Sequence, residues 1–302
     1  MKNRLLAILL LMASPALAQG IEEAAKLYAA EDYKAAVKLA EPLAKNGDAG
    51  AMALMGAAYL TGNGVTKNAK KAAEWFTKAA DLGHPGAQLS LATLYLDNSL
   101  GEPDPALARK WMRNAADGGN PAAQHNMGLF AAGADGDEPN WPLAIAWFTK
   151  AADQNFAEAQ YNLGVIYSEG KGVPQDAVKA GQLIFKAAMQ GLPDAALDYG
   201  IMAFQGVGVQ KNEPVGAKWI RVAARAGNPL AQNRLARILA SGRGLEPDPV
   251  EAAKWHFIAA KAGRTDDWLD RYVSALDATR KAEAEARAAA FKPQLPKVPT
   301  GG

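Results

Sequence analysis

The chain has 302 residues, of which 49% are hydrophobic, and its 33 basic and 31 acidic side chains give a formal net charge of +2. This length and apolar content suffice for a sizeable core, whereas the balanced charge argues against a basic surface for nucleic acid. The sequence contains no cysteine, so no disulfide stabilises the fold.

The N-terminal segment has the pattern of a secretory signal peptide. Lys2 and Arg4 precede an apolar run over residues 5–13, and Ala16-Leu17-Ala18 forms a small-residue cleavage site. We therefore predict a signal peptide over residues 1–18 and a periplasmic mature protein, with secretion from the cell left open. A buried first helix is the alternative. No later segment is apolar over the about 20 residues that a transmembrane helix requires, so the protein is not expected to span a membrane.

The rest of the sequence repeats with a period of 36 residues. The period is visible in small residues at fixed positions, at Ala51, Ala87, Ala123, Ala159, Ala195 and Ala231. A period of about 20 to 50 residues is typical of arrays of stacked units. We predict a shortened leading repeat over residues 19–47. Six complete repeats follow, at residues 48–83, 84–119, 120–155, 156–191, 192–227 and 228–263.

Each repeat has the pattern of two helices joined by a glycine turn. In the fourth repeat, Ala159, Leu163 and Tyr167 recur at helical spacing, and Gly170-Lys171-Gly172 follows them. An Asn or Asp at the start of the second helix can accept its free backbone N–H groups. Such a residue occurs at Asn68, Asp104, Asn140, Asp176, Asn212 and Asp248. The pattern predicts an all-α fold, an α/α solenoid or superhelix of stacked helix-turn-helix repeats.

Two sets of equivalent positions indicate how these helices pack. A tiny residue in the first helix lets two helix backbones approach closely, and it occurs at Gly56, Ala92, Gly128, Gly164, Gly200 and Ala236. A large residue in the second helix is predicted to pack between repeats. It occurs at Trp75, Trp111, Trp147, Leu183, Trp219 and Trp255.

The sequence after the sixth repeat is expected to close the array. Trp268, Leu269 and Tyr272 begin a helix, and a helix rich in Ala, Glu and Arg follows, so residues 264–291 are predicted to form capping helices. Residues 292–302 contain three prolines and two glycines. They are predicted to form a disordered tail.

The repeats share the motif Ala-x3-Leu-Gly-x2-Tyr-x2-Gly-x-Gly-Val, followed by Ala-x2-Trp-x3-Ala-Ala-x2-Gly. This pattern resembles the Sel1-like repeat family, a relative of the tetratricopeptide repeats, over about residues 48–263. The second and third repeats replace the glycine pair with Asn98-Ser99-Leu100-Gly101 and Ala134-Asp135-Gly136-Asp137. The resemblance implies a protein-binding array. Envelope members of the family suggest either restraint of a membrane signalling protein or organisation of envelope assembly proteins.

The sequence shows no motif that we connect with catalysis. It lacks Gly-x-Ser-x-Gly, His-Glu-x-x-His and a cysteine nucleophile. His84 is predicted to cap a helix and His256 to be an exposed helix residue. The acidic turn with Asp135, Asp137 and Glu138 lacks the ligand spacing of a calcium loop. We therefore predict that the protein is not an enzyme and uses neither a cofactor nor a metal.

The first helices are expected to line a concave groove that holds a partner. Positions beside the packing residues vary from repeat to repeat, which suggests that the fold does not dictate them. The predicted groove residues are His125, Leu129, Tyr161, Val165, Leu197, Ile201, Phe204 and Asn233. Aromatic and apolar residues with a polar rim suit a peptide or helix of another protein. For the aliphatic members, packing against the neighbouring first helix is the alternative.

These features predict a non-catalytic periplasmic scaffold or adaptor whose groove binds a protein or peptide in the envelope and regulates a signalling or assembly protein. Binding of cell-wall glycan or peptide is the alternative, with Tyr161, Asn126, Asn162 and Asn233 as candidates. A hydrolase of the penicillin-binding or β-lactamase type is a third reading, implied by cysteine-rich members of the family. This chain lacks their disulfide pairs. Nucleic acid is not expected as a partner, and the sequence does not indicate an oligomeric state.

Overall fold

The computed structural model describes residues 15–294, with side chains from residue 19 onward. Within this range the chain forms sixteen α-helices and no strand, which confirms the predicted all-α fold. The helices are α1 (Pro15–Ala29), α2 (Tyr33–Lys45), α3 (Ala49–Thr61), α4 (Ala69–Asp81), α5 (Pro85–Leu96), α6 (Pro105–Asp117), α7 (Pro121–Ala131), α8 (Trp141–Asp153), α9 (Ala157–Glu169), α10 (Ala177–Met189), α11 (Pro193–Gln205), α12 (Glu213–Arg225), α13 (Pro229–Ser241), α14 (Pro249–Lys261), α15 (Asp267–Ser274) and α16 (Ala278–Ala289).

The chain divides into two compact units, one that ends at Met127 and one that begins at Gly128. In the first unit, each helix from α1 to α6 packs against the next, and in the second unit the same holds from α8 to α14. The short turns make the two helices of each repeat antiparallel neighbours. The repeats therefore form an all-α solenoid fold.

The predicted terminal segments lie partly outside the described residues. Residues 1–14 of the predicted signal peptide and residues 295–302 of the predicted tail are not described. Helix α1 crosses the predicted cleavage site after Ala18 and forms a pair with α2. At the other end, the backbone N–H of Gln294 donates to the carbonyl oxygen of Arg225 at 2.9 Å.

Helix caps define where the second helix of each repeat begins. The side chain of Asn68 accepts the N–H of Lys71 at 3.0 Å, and that of Asp176 accepts the N–H of Lys179 at 2.9 Å. The same bond forms in the other four repeats. The predicted cap at His84 is also confirmed, since its Nδ1 accepts the N–H of Ala87 at 3.1 Å.

The tiny residue of the first helix is in contact with a side chain of the second helix. A Cβ on Gly56 would lie 2.6 Å from Cδ1 of Phe76, and a Cβ on Gly200 would lie 2.8 Å from Cγ1 of Ile220. Real Cβ atoms do not approach other atoms this closely, so the side chain sits directly on the glycine backbone. The sequence predicted that the two helices approach closely at the tiny residue. It did not predict which side chains contact that residue. They belong to the residues that directly follow the tryptophan positions.

The second glycine of the turn joins successive repeats. Gly64 and Gly244 have φ angles of +78° and +74°, a conformation that glycine adopts readily. A Cβ on Gly64 would lie 2.5 Å from the carbonyl oxygen of Tyr33, and one on Gly244 would lie 2.6 Å from that of Glu213. In both cases the turn touches the start of the second helix in the preceding repeat.

The second and third repeats, which lack the glycine pair, have shorter first helices. Helix α5 has 12 residues and α7 has 11, whereas α3, α9, α11 and α13 each have 13. Without a glycine in the left-handed conformation at the usual position, these helices end earlier.

The capping helices bury one side chain that was expected to be exposed. His256 of α14 is only 3% exposed, and its Nε2 lies 2.7 Å from Oδ1 of Asp270 in α15. The prediction that His256 is an exposed helix residue was wrong, because α15 and α16 both pack against α14. Leu269 of α15 and Ala284 of α16 are fully buried in this contact region.

Replacing the glycine under Phe76 tests the close approach within a repeat. The variant Gly56→Ala places a methyl group 2.6 Å from Phe76. In an open helix the same change stabilises by about 1 kcal/mol. We expect the clash to outweigh this gain and to lower the free energy of unfolding by about 1 to 3 kcal/mol, measured by urea denaturation followed by circular dichroism.

The sequence itself supplies the matched control. At the equivalent positions the second repeat has Ala92 and Met112, and methionine is flexible enough to move aside. The double variant Gly56→Ala/Phe76→Met should therefore recover most of the lost stability. A gain in stability from Gly56→Ala alone would contradict the close approach.

Candidate functional site

The structure distributes the eight predicted groove residues among different environments. His125 is half-buried on α7 in the first unit, whereas the other seven residues belong to the second unit. Leu129 is half-buried and packs against a core cluster, and Val165 is half-buried on α9. Ile201 and Phe204 line a pocket that is described below.

Three of the predicted groove residues lie at equivalent positions of the fourth, fifth and sixth repeats. Each of them contacts residues that follow its own repeat. The hydroxyl of Tyr161 donates to Oδ2 of Asp198 at 2.8 Å, and Nδ2 of Asn233 donates to Oδ2 of Asp266 at 3.0 Å. Leu197, which lies between them in the series, is 4% exposed and belongs to the core. The assignment of Leu197 to the groove is therefore corrected, because its position faces the neighbouring repeat.

The bond between Tyr161 and Asp198 lies in a partly desolvated place. Burial raises the pKa of Tyr161 well above its usual range, and the nearby charge of Asp198 adds to this shift. Burial also raises the pKa of Asp198, against the opposing effect of the hydrogen bond from Tyr161. The tyrosine is therefore a fixed donor, and the pair is better suited to joining two repeats than to proton transfer.

A pocket of about 310 Å³ lies between the fifth and sixth repeats and the first capping helix. Helices α11, α12, α13 and α15 and the turn after α13 form it. The lining residues are Ile201, Phe204, Gln205, Ile220, Arg234, Arg237, Ile238, Ser241, Arg243 and Trp268. Ile220 and Ile238 are almost fully buried, whereas Trp268 is 40% exposed. The pocket thus combines apolar walls with three arginines.

Arg237 is held in place by a nearly buried carboxylate. Its Nε and Nη2 donate to the two oxygens of Asp266 at 2.6 and 2.7 Å, and its guanidinium lies 5.4 Å from the ring centre of Trp268. Asp266 also accepts the backbone N–H groups of Trp268 and Leu269 at the start of α15. The bonds from Arg237 hold the pKa of Asp266 well below its ordinary value.

The other two arginines of the pocket are more exposed. Nη2 of Arg243 donates to Oε1 of Glu213 at 2.6 Å, and its guanidinium lies 4.8 Å from the ring centre of Phe204. Arg243 lowers the pKa of Glu213. Arg234 is exposed and forms no ion pair within residues 15–294. A cation above an aromatic ring is a favourable arrangement that keeps the guanidinium near the apolar wall.

The chemistry of the pocket is suited to binding. Apolar walls can hold a side chain, and guanidinium groups can hold a carboxylate. The hydroxyl of Ser241, in the lining, donates to the carbonyl oxygen of Arg237 at 2.8 Å. Elsewhere, Ser168 and Lys171 have Ser-x-x-Lys spacing, but the hydroxyl of Ser168 donates to Val165. Lys171 pairs with Glu169 at 2.6 Å, so neither serine is set up as a nucleophile.

Eight of the ten lining residues, including the three arginines and Trp268, are absent from the predicted groove set. Arg234 and Arg237 are three residues apart on α13 and therefore share a helix face, a signal that was visible in the sequence. Arg243 lies in the following turn and Trp268 in the capping segment. Only the tertiary structure brings these two residues to α13.

Among the described residues, no group of three or more His, Asp or Glu side chains is arranged to hold a metal ion. No helix in residues 15–294 combines the length and the hydropathy of a membrane span.

The helix pairs, their caps and their turns define a helix-turn-helix repeat protein. The Sel1 repeat matches residues 49–84, 85–120, 121–156, 157–192, 193–228 and 229–263. The chain therefore belongs to the Sel1 repeat family, which confirms the resemblance found in the sequence. The fold of this family is generally a scaffold for protein–protein interaction.

Solved structures of Sel1 repeat proteins resemble this chain. A Sel1 repeat protein from Oxalobacter formigenes is 28% identical, with a TM-score of 0.69 over 80% of this chain and 96% of that chain. The protective antigen c5321 of uropathogenic Escherichia coli, which displays an SLR fold, is 24% identical, with a TM-score of 0.48 over 89% of this chain and 77% of that chain. No curated protein sequence matches the chain.

The contacts of Asp266 predict a pH-dependent contribution to stability. Because the folded protein holds the pKa of Asp266 below its ordinary value of 3.8, the contribution is fully present above that value and is lost as pH falls below it. We expect Asp266→Asn to lower the free energy of unfolding by about 1.5 to 3 kcal/mol between about pH 5 and pH 7.

The comparison of the wild type with Asp266→Asn in acid completes this test. The difference between their unfolding free energies should shrink as pH falls below 3.8, measured by urea denaturation across a pH series. Asp153→Asn is the matched control, because Asp153 is an exposed carboxylate at the end of α8 in the same unit. A difference for Asp266→Asn that stays constant down to low pH would contradict the role of its charge.

Proposed function

We propose that this protein is an exported, non-catalytic scaffold that binds a partner protein of the bacterial envelope, and that the pocket between the fifth and sixth repeats anchors this partner. The pocket carries the proposal, because it combines apolar walls with three arginines in the second unit. Anchors of this kind, an apolar cavity with a polar rim, are typical of protein interaction sites. The family's general role as an interaction scaffold supports the same function.

The export part of the proposal rests on the sequence of the N-terminus. Two basic residues, an apolar run and Ala16-Leu17-Ala18 precede the repeats, in the order that a signal peptidase substrate requires. We favour the periplasm as the destination. The partner is then a signalling protein or an assembly protein of the envelope. Identification of the partner distinguishes these two roles.

Glycan binding is a second candidate because one aromatic side chain of the pocket is accessible. Trp268 is 40% exposed and stacks on Tyr272 with ring centres 5.7 Å apart. A planar indole is a suitable surface for a sugar ring. The pocket lining has only one amide side chain, Gln205, so protein binding is the preferred function. Sedimentation with purified, protein-free peptidoglycan at low and high salt distinguishes the two functions. Glycan binding predicts that the protein still sediments with peptidoglycan at high salt, whereas protein binding does not.

Crosslinking from the rim of the pocket tests the proposed function. A photoreactive amino acid at position 205, which is exposed at the end of α11 and lines the pocket, should give a discrete protein adduct in cells. Position 218 on α12 is the matched control, because Lys218 is exposed in the same unit but does not line the pocket. Mass spectrometry of the adduct identifies the partner. Equal or absent adducts from both positions would refute the pocket as the binding site.

N-terminal analysis of the protein from cell fractions tests export. The mature protein should begin at Gln19 and occur in the periplasmic fraction. Replacing Ala16 and Ala18 with bulky residues should block cleavage, because the peptidase accepts only small side chains there. The same replacements at Ala13 and Leu17 serve as the control. A protein that begins at Met1 and stays in the cytoplasm would overturn the export proposal.

A further inference from the structure

We infer that the pocket recognises an acidic peptide segment of the partner. An apolar side chain of that segment enters between Ile201, Phe204 and Trp268, and an adjacent carboxylate binds Arg234 and Arg237. This inference rests on the proposed function, since it names the chemistry of the partner at the same pocket.

The charge of the lining favours an anion. Of the lining residues that the structure describes, three are arginines and none is acidic. Asp266 and Glu213 lie behind Arg237 and Arg243 and balance their charges from the protein side. Arg234 forms no ion pair in the described part of the chain, and the nearby Asp198 balances its charge without a direct contact. Its guanidinium therefore has room for a carboxylate of the partner.

The arginines also have hydrogen-bond donors that the protein does not use. A guanidinium group carries five N–H donors. Arg237 directs one donor from Nε and one from Nη2 to Asp266, and Arg243 directs one from Nη2 to Glu213. The remaining N–H groups can donate to a second carboxylate, for which the planar guanidinium of an arginine is well matched.

Arg237 is already fixed in a binding conformation. Both oxygens of Asp266 hold its guanidinium, and Trp268 supports it from one side. The side chain of Asp266 is only 6% exposed, so the anchor itself is rigid. A ligand that binds to a fixed side chain loses less conformational entropy than one that must order it.

The size and the walls of the pocket favour a peptide side chain over a bare anion. The cavity of about 310 Å³ is at the lower end of the range for small-ligand sites and has room for one large side chain. Ile220 and Ile238 form an apolar floor, against which a phosphate or sulfate makes no favourable contact. An apolar residue next to Asp or Glu satisfies both parts of the site.

A peptide array with the full-length protein tests this chemistry. The array contains peptides of equal length in which a central Phe, Leu or Trp is flanked by Asp and Glu, together with two analogues of each. One analogue has Asn and Gln in place of the acids, and the other has Ser in place of the apolar residue. Affinities of the best peptides are then measured in solution at two salt concentrations. The acidic peptides should bind at least about tenfold more tightly than either analogue, and more weakly at high salt.

Matched arginine variants locate the binding to the pocket. Arg234→Gln should weaken binding of the acidic peptide at least about tenfold. This variant should fold normally, because Arg234 is exposed and has no ion pair in residues 15–294. Arg113→Gln removes an exposed cation from the first unit and should change the affinity by less than about twofold.

Four results would overturn the inference. Equal binding of the amide analogue shows that the acids do not matter, and unchanged binding by Arg234→Gln shows that the pocket does not hold them. Competition by inorganic polyphosphate, together with unchanged binding of the serine analogue, identifies a phosphate-bearing ligand instead. If no peptide binds but position 205 still crosslinks to a protein, the acidic-peptide inference fails and the proposed function stands. If that crosslink is absent too, both fail.

Discussion

In four of the six repeats, the helix pair depends on a contact between a side chain of the second helix and a glycine of the first helix. Phe76 sits on Gly56 and Ile220 on Gly200, where a Cβ would be 2.6 and 2.8 Å away. Because the helices can come this close only at a tiny residue, the contact sets the thickness of the pair. Pairs of equal thickness can then pack on one another in each unit with the same turns and caps.

The sixth repeat modifies this plan in order to hold the capping helix. At the position of the buried Phe or Ile it has His256, which meets Asp270 of α15, and on its first helix it has Arg237, which meets Asp266. Helix α15 has only 8 residues, whereas the first helix of the sixth repeat has 13. Arg237, Arg243 and Trp268 meet beside this short helix, so the pocket follows from the way the array ends.

Much of the fold could be predicted from the sequence, because period, caps and turns depend on local spacing. The site could not, for a reason that Tyr161 and Asn233 make clear. These positions vary between repeats, and variation was interpreted as freedom from the fold. In the structure each forms a hydrogen bond with a residue outside its own repeat, Asp198 or Asp266. Leu197, at the equivalent position, is buried. A comparison of equivalent positions, made one position at a time, does not reveal contacts between repeats.

The ion pair of Arg237 and Asp266 is difficult to explain by stability alone. A buried or partly buried ion pair is often no more stabilising than an apolar pair of the same volume, because both charges lose solvation. The apolar solution was available, since other repeats have Leu129, Val165 and Ile201 at the position equivalent to Arg237. The ion pair, however, fixes the guanidinium of Arg237 beside the exposed Trp268. It thereby places a rigid cation at the edge of an apolar cavity, which an apolar pair cannot do. The proposed recognition of a ligand offers a reason for this departure from the repeat pattern.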